Sequence, residues 1–248
     1  MLNNTKLSQI YFFRHAQASY LSDNYDKLSP HGEQQSAALG DYLAAHNIHF
    51  DKIFVGPLLR QRETQEIVEK AFLDKHNIQH QPILMPEMEE HFGPQTLRHL
   101  YPKLVEREPY IKTLYAEIVA NEGVHHIKKR NSLLIFEHFI DKWVNGEIHE
   151  SEDILEPWQT FRKRVKRGLD IILSETEKGD TVGIFTSGGV ISAVVAEALG
   201  INDEVKIAGL NYAVKNTSFS QFAYSKGKFN LIAFNEVPHL PKEIVTFI

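Results

Sequence analysis

The 248-residue sequence contains no cysteine, which excludes a disulfide scaffold, a thiolate nucleophile and cysteine-ligated zinc. It has no apolar run of about eighteen residues, so no transmembrane helix and no membrane partner are expected. Positive charge is in deficit: 27 Lys and Arg face 32 Asp and Glu, a net charge of −5. A nucleic-acid binder is usually basic, so no nucleic-acid partner is expected. The opening Met-Leu-Asn-Asn-Thr-Lys-Leu-Ser lacks the apolar stretch of a signal peptide, and a cytoplasmic protein is expected. Internal repeats and low-complexity tracts are absent too. What is present is an ordinary globular composition, 42% hydrophobic and 24% charged, on a chain long enough to bury a sizeable core.

The apolar run Ile10–Phe13 has the character of a buried strand and ends abruptly on Arg14-His15. A polar loop, Tyr20 to Lys27, follows. Ser29-Pro30 then opens a helix with Ser29 as N-cap, Pro30 at the first helical position and Glu33 near the capping-box position. Lys52–Val55 reads as a second strand stopped by Gly56-Pro57, and a helix follows from about Leu59 to Lys75. Ile83-Leu84-Met85 is a brief third strand. From about Glu87 to Glu156 the alternation stops. Leu97, Leu100, Leu104, Leu114, Ile118, Leu133, Phe136, Phe139, Ile140 and Trp143 recur there at helical spacing. Trp158, Phe161, Val165, Leu169 and Ile172 mark a longer helix. Thr181–Thr186 is again a buried strand, and Ser187-Gly188-Gly189 leads into a helix over Val190–Leu199. Phe219–Tyr224 and Phe229–Phe234 form a hairpin turning at Lys226-Gly227. Strands alternating with helices predict an α/β fold, a sheet flanked by helices.

Three strand ends carry polar groups able to converge: Arg14-His15, Pro57-Leu58-Leu59-Arg60, and Thr186-Ser187-Gly188-Gly189. In open α/β sheets ligands bind at the carboxyl ends of strands. Two guanidinium forks suit the oxygens of a phosphate, and backbone N–H groups at a helix N-terminus add an anion site. A histidine held beside them serves as nucleophile or base. The stretch Glu87-Met88-Glu89-Glu90-His91-Phe92-Gly93 offers carboxyl groups as proton donors. This set describes phosphoryl chemistry with no metal and no cofactor.

The ordered motifs resemble the histidine phosphatase superfamily, the fold of cofactor-dependent phosphoglycerate mutases and many small phosphatases. The family's Arg-His-Gly strand end is matched by Arg14-His15-Ala16-Gln17, with alanine for glycine. Its Leu-(Ser/Thr)-x-x-Gly-x-x-Gln is matched from Leu28 to Gln35. Its Ser-Pro-Leu-x-Arg-x-x-x-Thr is matched by Gly56 through Thr64. The resemblance implies a three-layer α/β/α sandwich with a mostly parallel sheet, read as one domain over 1–248 with a helical cap insertion at about 94–156. It implies His15 as nucleophile, Arg60 rather than Arg62 as second phosphate arginine, and Glu89 as acid, with Glu87 and Glu90 as rivals. Arg14, Gln17 and Gly188 complete the implied phosphate-binding set, and Asn216 is taken to order the pocket loop.

One position departs from the pattern. The family carries a second catalytic histidine where this chain has Ser187. A serine hydroxyl donates one hydrogen bond but carries no charge, and losing one oriented donor costs roughly 10²–10³ in rate. Ser187 is also placed to cap the following helix. The function expected is a metal-independent phosphatase acting on a small phosphate ester or a phosphoprotein through a phosphohistidine on His15. The alternative is a pseudophosphatase that binds a phospho-ligand or acts as a scaffold, and a mutase fits less well than either.

Overall fold

A computed structural model describes residues 7–19, 26–148 and 155–247. Most of the expected Tyr20–Lys27 loop and the stretch 149–154 of the expected cap lie outside the described residues. The described parts of Met1–Glu90 and Arg164–Ile248 make one compact unit, and His91–Lys163 makes a second.

The first unit is built on a six-stranded sheet in the order β3-β2-β4-β1-β5-β6. The strands are β1 (Ser8–Arg14), β2 (Lys52–Val55), β3 (Ile83–Leu84), β4 (Thr181–Thr186), β5 (Phe219–Ser225) and β6 (Lys228–Glu236). Pairings from β3 through β1 are parallel, and those from β1 to β5 and from β5 to β6 are antiparallel. The helices of this unit include α1 (Pro30–Ala45), α2 (Leu59–His76), α7 (Gly188–Leu199) and α8 (Glu204–Asn211). This is the α/β fold that the strand-helix alternation predicts, consistent with the sandwich that the family resemblance implies.

Strand β1 lies inside the sheet, so both of its faces must be apolar. Tyr11 and Phe13 point to one face, where they join Leu39, Leu43, Val68, Phe72 and Phe185 in a single core with α1 and α2. Ile10 and Phe12 alternate to the other face and are fully buried, as are Val182 and Ile184 of β4. Truncating a side chain such as Phe13 to alanine would cost about 3–5 kcal/mol, the usual range for a buried phenylalanine.

Local signals explain the element ends. Ser29 caps α1, its Oγ accepting the Gly32 N–H at 3.0 Å. The third helical position is therefore Gly32 and not Glu33; Glu33 lies one residue further on, where its charge still suits the helix dipole. Helix α2 stops at Asn77 in a left-handed conformation, φ 52°. Lys226 and Gly227, both at positive φ, turn the hairpin. Strand β3 is shorter than its sequence suggests. Ile83 and Leu84 are exposed at the sheet edge, whereas Met85 is buried and donates its N–H to Val55 O at 2.8 Å.

The second unit contains α3 (Gly93–Arg107), α4 (Pro109–Ala120), α5 (His125–Val144) and the first turn of α6 (Trp158–Glu175). Leu100, Leu104, Ile111, Leu114, Ile135, Phe139 and Trp143 form its interior. Leu133 does not join them and is exposed. Asn131 is the residue that turns inward, its Nδ2 donating to Leu114 O at 3.1 Å and to Glu117 Oε2 at 2.9 Å. Buried polar groups persist where such partners exist. Among the described residues no helix is long and apolar enough to cross a membrane.

Candidate active site

The site begins with the register of two strands. Arg14 of β1 lies opposite Thr186 of β4, and the His15 N–H donates to Thr186 O at 2.8 Å. His15 and Ser187 therefore leave neighbouring strands at the same level, and adjacent strands run about 5 Å apart. The sequence brings them together across more than half the chain by strand pairing alone.

His15 is buried and its ring is held at both nitrogens. Nδ1 lies 2.7 Å from Ala16 O, and Arg60 Nε lies 3.1 Å from Nε2. A carbonyl only accepts and a guanidinium only donates, so Nδ1 carries the proton and Nε2 presents its lone pair. Burial, then the charges of Arg60 and Arg14, hold the imidazole pKa well below its ordinary value; the Ala16 carbonyl pulls weakly the other way. The ring is thus neutral at physiological pH, with the Nε2 lone pair available.

Arg60 sits in the first turn of α2, just past β2. Its Nη1 makes an ion pair with Asp26 Oδ1 at 2.5 Å, and Asp26 Oδ2 accepts the Leu59 N–H at 2.7 Å. Asp26 therefore caps α2 and positions the arginine with one carboxylate. Sequence reasoning missed this residue. The only available signal is that a buried arginine requires an acidic partner, and Asp26 precedes the Leu28-Ser29 motif. Thr64, one turn beyond Arg60, accepts the Ala16 N–H at 3.0 Å and donates to Arg60 O at 2.7 Å. These bonds tie the loop after His15 to α2.

Arg14 is anchored from the far end of the described chain. Its Nη1 donates to the carbonyls of Val214 and Phe247, the latter at 2.8 Å. A Cβ added at Gly188 would lie 3.6 Å from Arg14 Nε and 2.3 Å from Asn211 Oδ1. The contact with Arg14 would be ordinary; it is the Asn211 amide, packed against the start of α7, that a Cβ would displace. Asn216 is fully buried and donates from Nδ2 to His15 O at 3.1 Å, while its Oδ1 accepts from Thr246 at 2.9 Å. This bond steadies the strand end.

The three glutamates separate. Glu87 pairs with Arg167 at 3.2 Å. Glu90 Oε2 accepts the Gly189 N–H at 3.1 Å, at the N-terminus of α7. Glu89 follows the short helical turn Pro86–Met88, and its carbonyl is held by Arg164 Nη1 at 2.9 Å, with Glu87 O held at the same distance. Gln17 belongs to a different network. Its Oε1 accepts from Ser29 Oγ at 2.9 Å, and its N–H donates to Gln35 Oε1 at 3.0 Å. Ser187 occupies the N-cap position of α7 but makes no capping bond through its side chain. Its Oγ accepts instead from Gln61 Nε2 at 2.8 Å.

The family described as Histidine phosphatase superfamily (branch 1) matches residues 10–107 and 123–237. An uncharacterised protein of Picosynechococcus sp. is 36% identical over 72 residues, 27% of this chain and 44% of its own length, so the match spans under half of that relative. Among solved structures, a phosphoglycerate mutase from Bacillus anthracis superposes with TM-score 0.62 at 15% identity, covering 95% of this chain and 96% of that one. A phosphoserine phosphatase from Entamoeba histolytica gives 0.61 at 17% identity, with coverage of 94% and 100%. An alpha-ribazole phosphatase from Shigella flexneri gives 0.61 at 20% identity, with coverage of 92% and 96%. At these identities the likeness is one of fold.

Proposed function

Because the chain belongs to the histidine phosphatase superfamily, branch 1, we propose that it hydrolyses a phosphomonoester, on a small metabolite or a phosphorylated side chain, through a phosphohistidine on His15. The observation that carries this reading is the orientation of one imidazole: Nδ1 is tied to Ala16 O, and Nε2 faces the guanidinium of Arg60. A binding protein needs the arginines but has no use for a neutral, tautomer-locked histidine between them. Two structures of like fold are named phosphatases, which supports the reaction class.

In the first half-reaction a phosphoryl oxygen takes over the N–H that Arg60 directs at Nε2. The freed lone pair attacks phosphorus in line. The Nε2–P bond forms, the P–O bond to the leaving group breaks, and Glu89 gives its proton to the departing alkoxide. Arg14, Arg60 and the N–H groups of Gly188 and Gly189 face the charge spread over the equatorial oxygens. In the second half, water attacks phosphorus and gives a proton to the Glu89 carboxylate. The N–P bond breaks, inorganic phosphate leaves, and both residues return to their starting states.

The test is phosphate release from p-nitrophenyl phosphate and a panel of metabolite phosphates with chelator present, comparing wild type with His15→Ala. Turnover in the wild type that vanishes in the variant is expected, together with an acid-labile phosphoryl label on the wild-type protein alone. No release from any substrate, with inorganic phosphate still bound, would overturn the proposal and leave a phospho-ligand-binding protein.

A further inference from the structure

Ser187 occupies the place of the family's second histidine, and the structure surrounds it with one further departure from the family pattern and with a buried amide. Gly56 stands where the motif has serine. Gln61 follows Arg60 on α2 and is fully buried. Its amide is completely used: Oε1 accepts the Leu58 N–H at 3.1 Å, and Nε2 donates to Met88 O at 3.2 Å and to Ser187 Oγ at 2.8 Å. The neighbours fix which way the amide faces. Leu58 N can only donate and Met88 O can only accept, so the NH₂ group must lie toward Ser187. At this contact the serine is therefore the acceptor.

A hydroxyl that accepts there keeps its single proton for another partner. Among the described residues no acceptor takes it. Ser187 Oγ is fully buried at the end of β4, level with His15 at the end of β1. Gly56 makes this arrangement possible, because a Cβ there would lie 2.1 Å from Gln61 Oε1 and 2.8 Å from Met88 O. A serine at residue 56 would push the amide away.

We propose that Gln61 is a positioning residue for the phosphoryl group. By donating to Ser187 Oγ it turns the serine into a one-way donor toward the substrate's phosphoryl oxygen, so that Gly56, Gln61 and Ser187 together replace the second histidine. The inference rests on the phosphatase reading of the site. It also explains why the buried amide lies between the second arginine and the second histidine's position: a neutral amide orients a hydroxyl without adding a charge that would need desolvating.

The experiment is a double-mutant cycle on Gln61→Glu and Ser187→Ala. Turnover of p-nitrophenyl phosphate is measured for each variant, and orthovanadate binding by calorimetry. An ionised glutamate at residue 61 still accepts from Leu58 but cannot donate, so the serine proton turns toward it and away from the substrate. Each single variant is expected to lose about 10²-fold in kcat with KM nearly unchanged, in line with removal of one oriented donor. The double variant is expected to lose no more than either single one, because both remove the same hydrogen bond. Gln61→Met, which deletes the amide at similar volume, should show the same non-additivity if Gln61→Glu does not fold. Wild-type kcat in a folded residue-61 variant, or losses that multiply in the double variant, would overturn the inference while leaving the phosphatase reading standing. Absence of turnover in the wild type, with vanadate binding weakened equally and non-additively by the variants, would overturn the phosphatase reading and keep the positioning role.

Discussion

The carboxylate of Glu90 and the amide N–H of Gly189 meet at 3.1 Å at the head of α7. On the phosphatase reading that N–H is one of the donors a phosphate would use, and the Glu90 side chain occupies it here. Replacing Glu90 by glutamine keeps an acceptor for the N–H and removes the charge. Electrostatic effects at helix N-termini are worth roughly 0.3–1 kcal/mol and up to about 2 in partly buried settings. Glu90→Gln is therefore expected to bind inorganic phosphate about 3- to 10-fold more tightly by calorimetry, with kcat within a factor of a few of wild type. Glu89→Gln should instead lose about 10²–10⁴ in kcat on alkyl phosphates, the usual weight of a general acid, and much less on p-nitrophenyl phosphate, whose leaving group needs no proton.

His15 should titrate anomalously. Burial and the two arginines disfavour its charged form, so its midpoint lies well below the ordinary imidazole value. Nitrogen chemical shifts of the His15 ring, followed from pH 8 downward, should show the neutral Nδ1–H tautomer persisting through pH 6.5. Arg60→Met removes the larger of the two repelling charges and should move the midpoint up. A wild-type midpoint at 6.5 or above would contradict the assigned environment.

Asp26 should matter for stability out of proportion to its half-buried position. It pairs with the buried Arg60 and caps α2 through the Leu59 N–H. Asp26→Ala removes both interactions and should destabilise the protein by about 2–3 kcal/mol in urea unfolding, by comparison with lost caps and broken ion pairs. Asp26→Asn keeps an oxygen for the Leu59 N–H and should cost less. Equal losses in the two variants would mean that the ion pair, and not the cap, carries the effect.

His239 gives a pH dependence of known sign. Its ring nitrogen lies 3.0 Å from Thr217 Oγ1, and burial pushes its pKa from 6.5 down to about 4. Between those values the unfolded chain binds a proton that the folded chain does not. Stability is therefore complete above about pH 6.5 and declines as pH falls toward 4, by on the order of 2–3 kcal/mol for this group. His239→Gln should flatten the urea midpoint between pH 6.5 and 4.5 relative to wild type. A parallel decline in both proteins would assign the effect to other groups, His15 first among them.

Much of the scaffold is legible in the sequence because it follows from short-range rules. Thr181–Thr186 reads as a buried strand from its apolar run alone, and Ser29-Pro30 marks the start of α1 from capping chemistry. Arg14-His15 stands out because a polar pair ends an aromatic run. The less legible features have a common origin: they are contacts made by groups whose identity says little. Gln61 looks like any polar helical residue until its burial is known. Glu90 is indistinguishable from Glu87 and Glu89 in composition, and only backbone geometry sends them to different partners. The carbonyls of Val214 and Phe247 that hold Arg14 would be the same with other side chains, so no residue type announces them. Gly56 and Gly188 read as breakers in the sequence; in the fold each provides close approach of backbone or amide.

The place of β1 bears on how the molecule is made. This strand is made before both of its partners, β4 at 181–186 and β5 at 219–225. Until those segments arrive, an aromatic edge, Tyr-Phe-Phe, has nothing to pair with. Such long-range pairing slows folding and leaves sticky surface exposed on the ribosome and after release. The strand that ends on His15 is thus one whose pairing must wait for the last third of the chain.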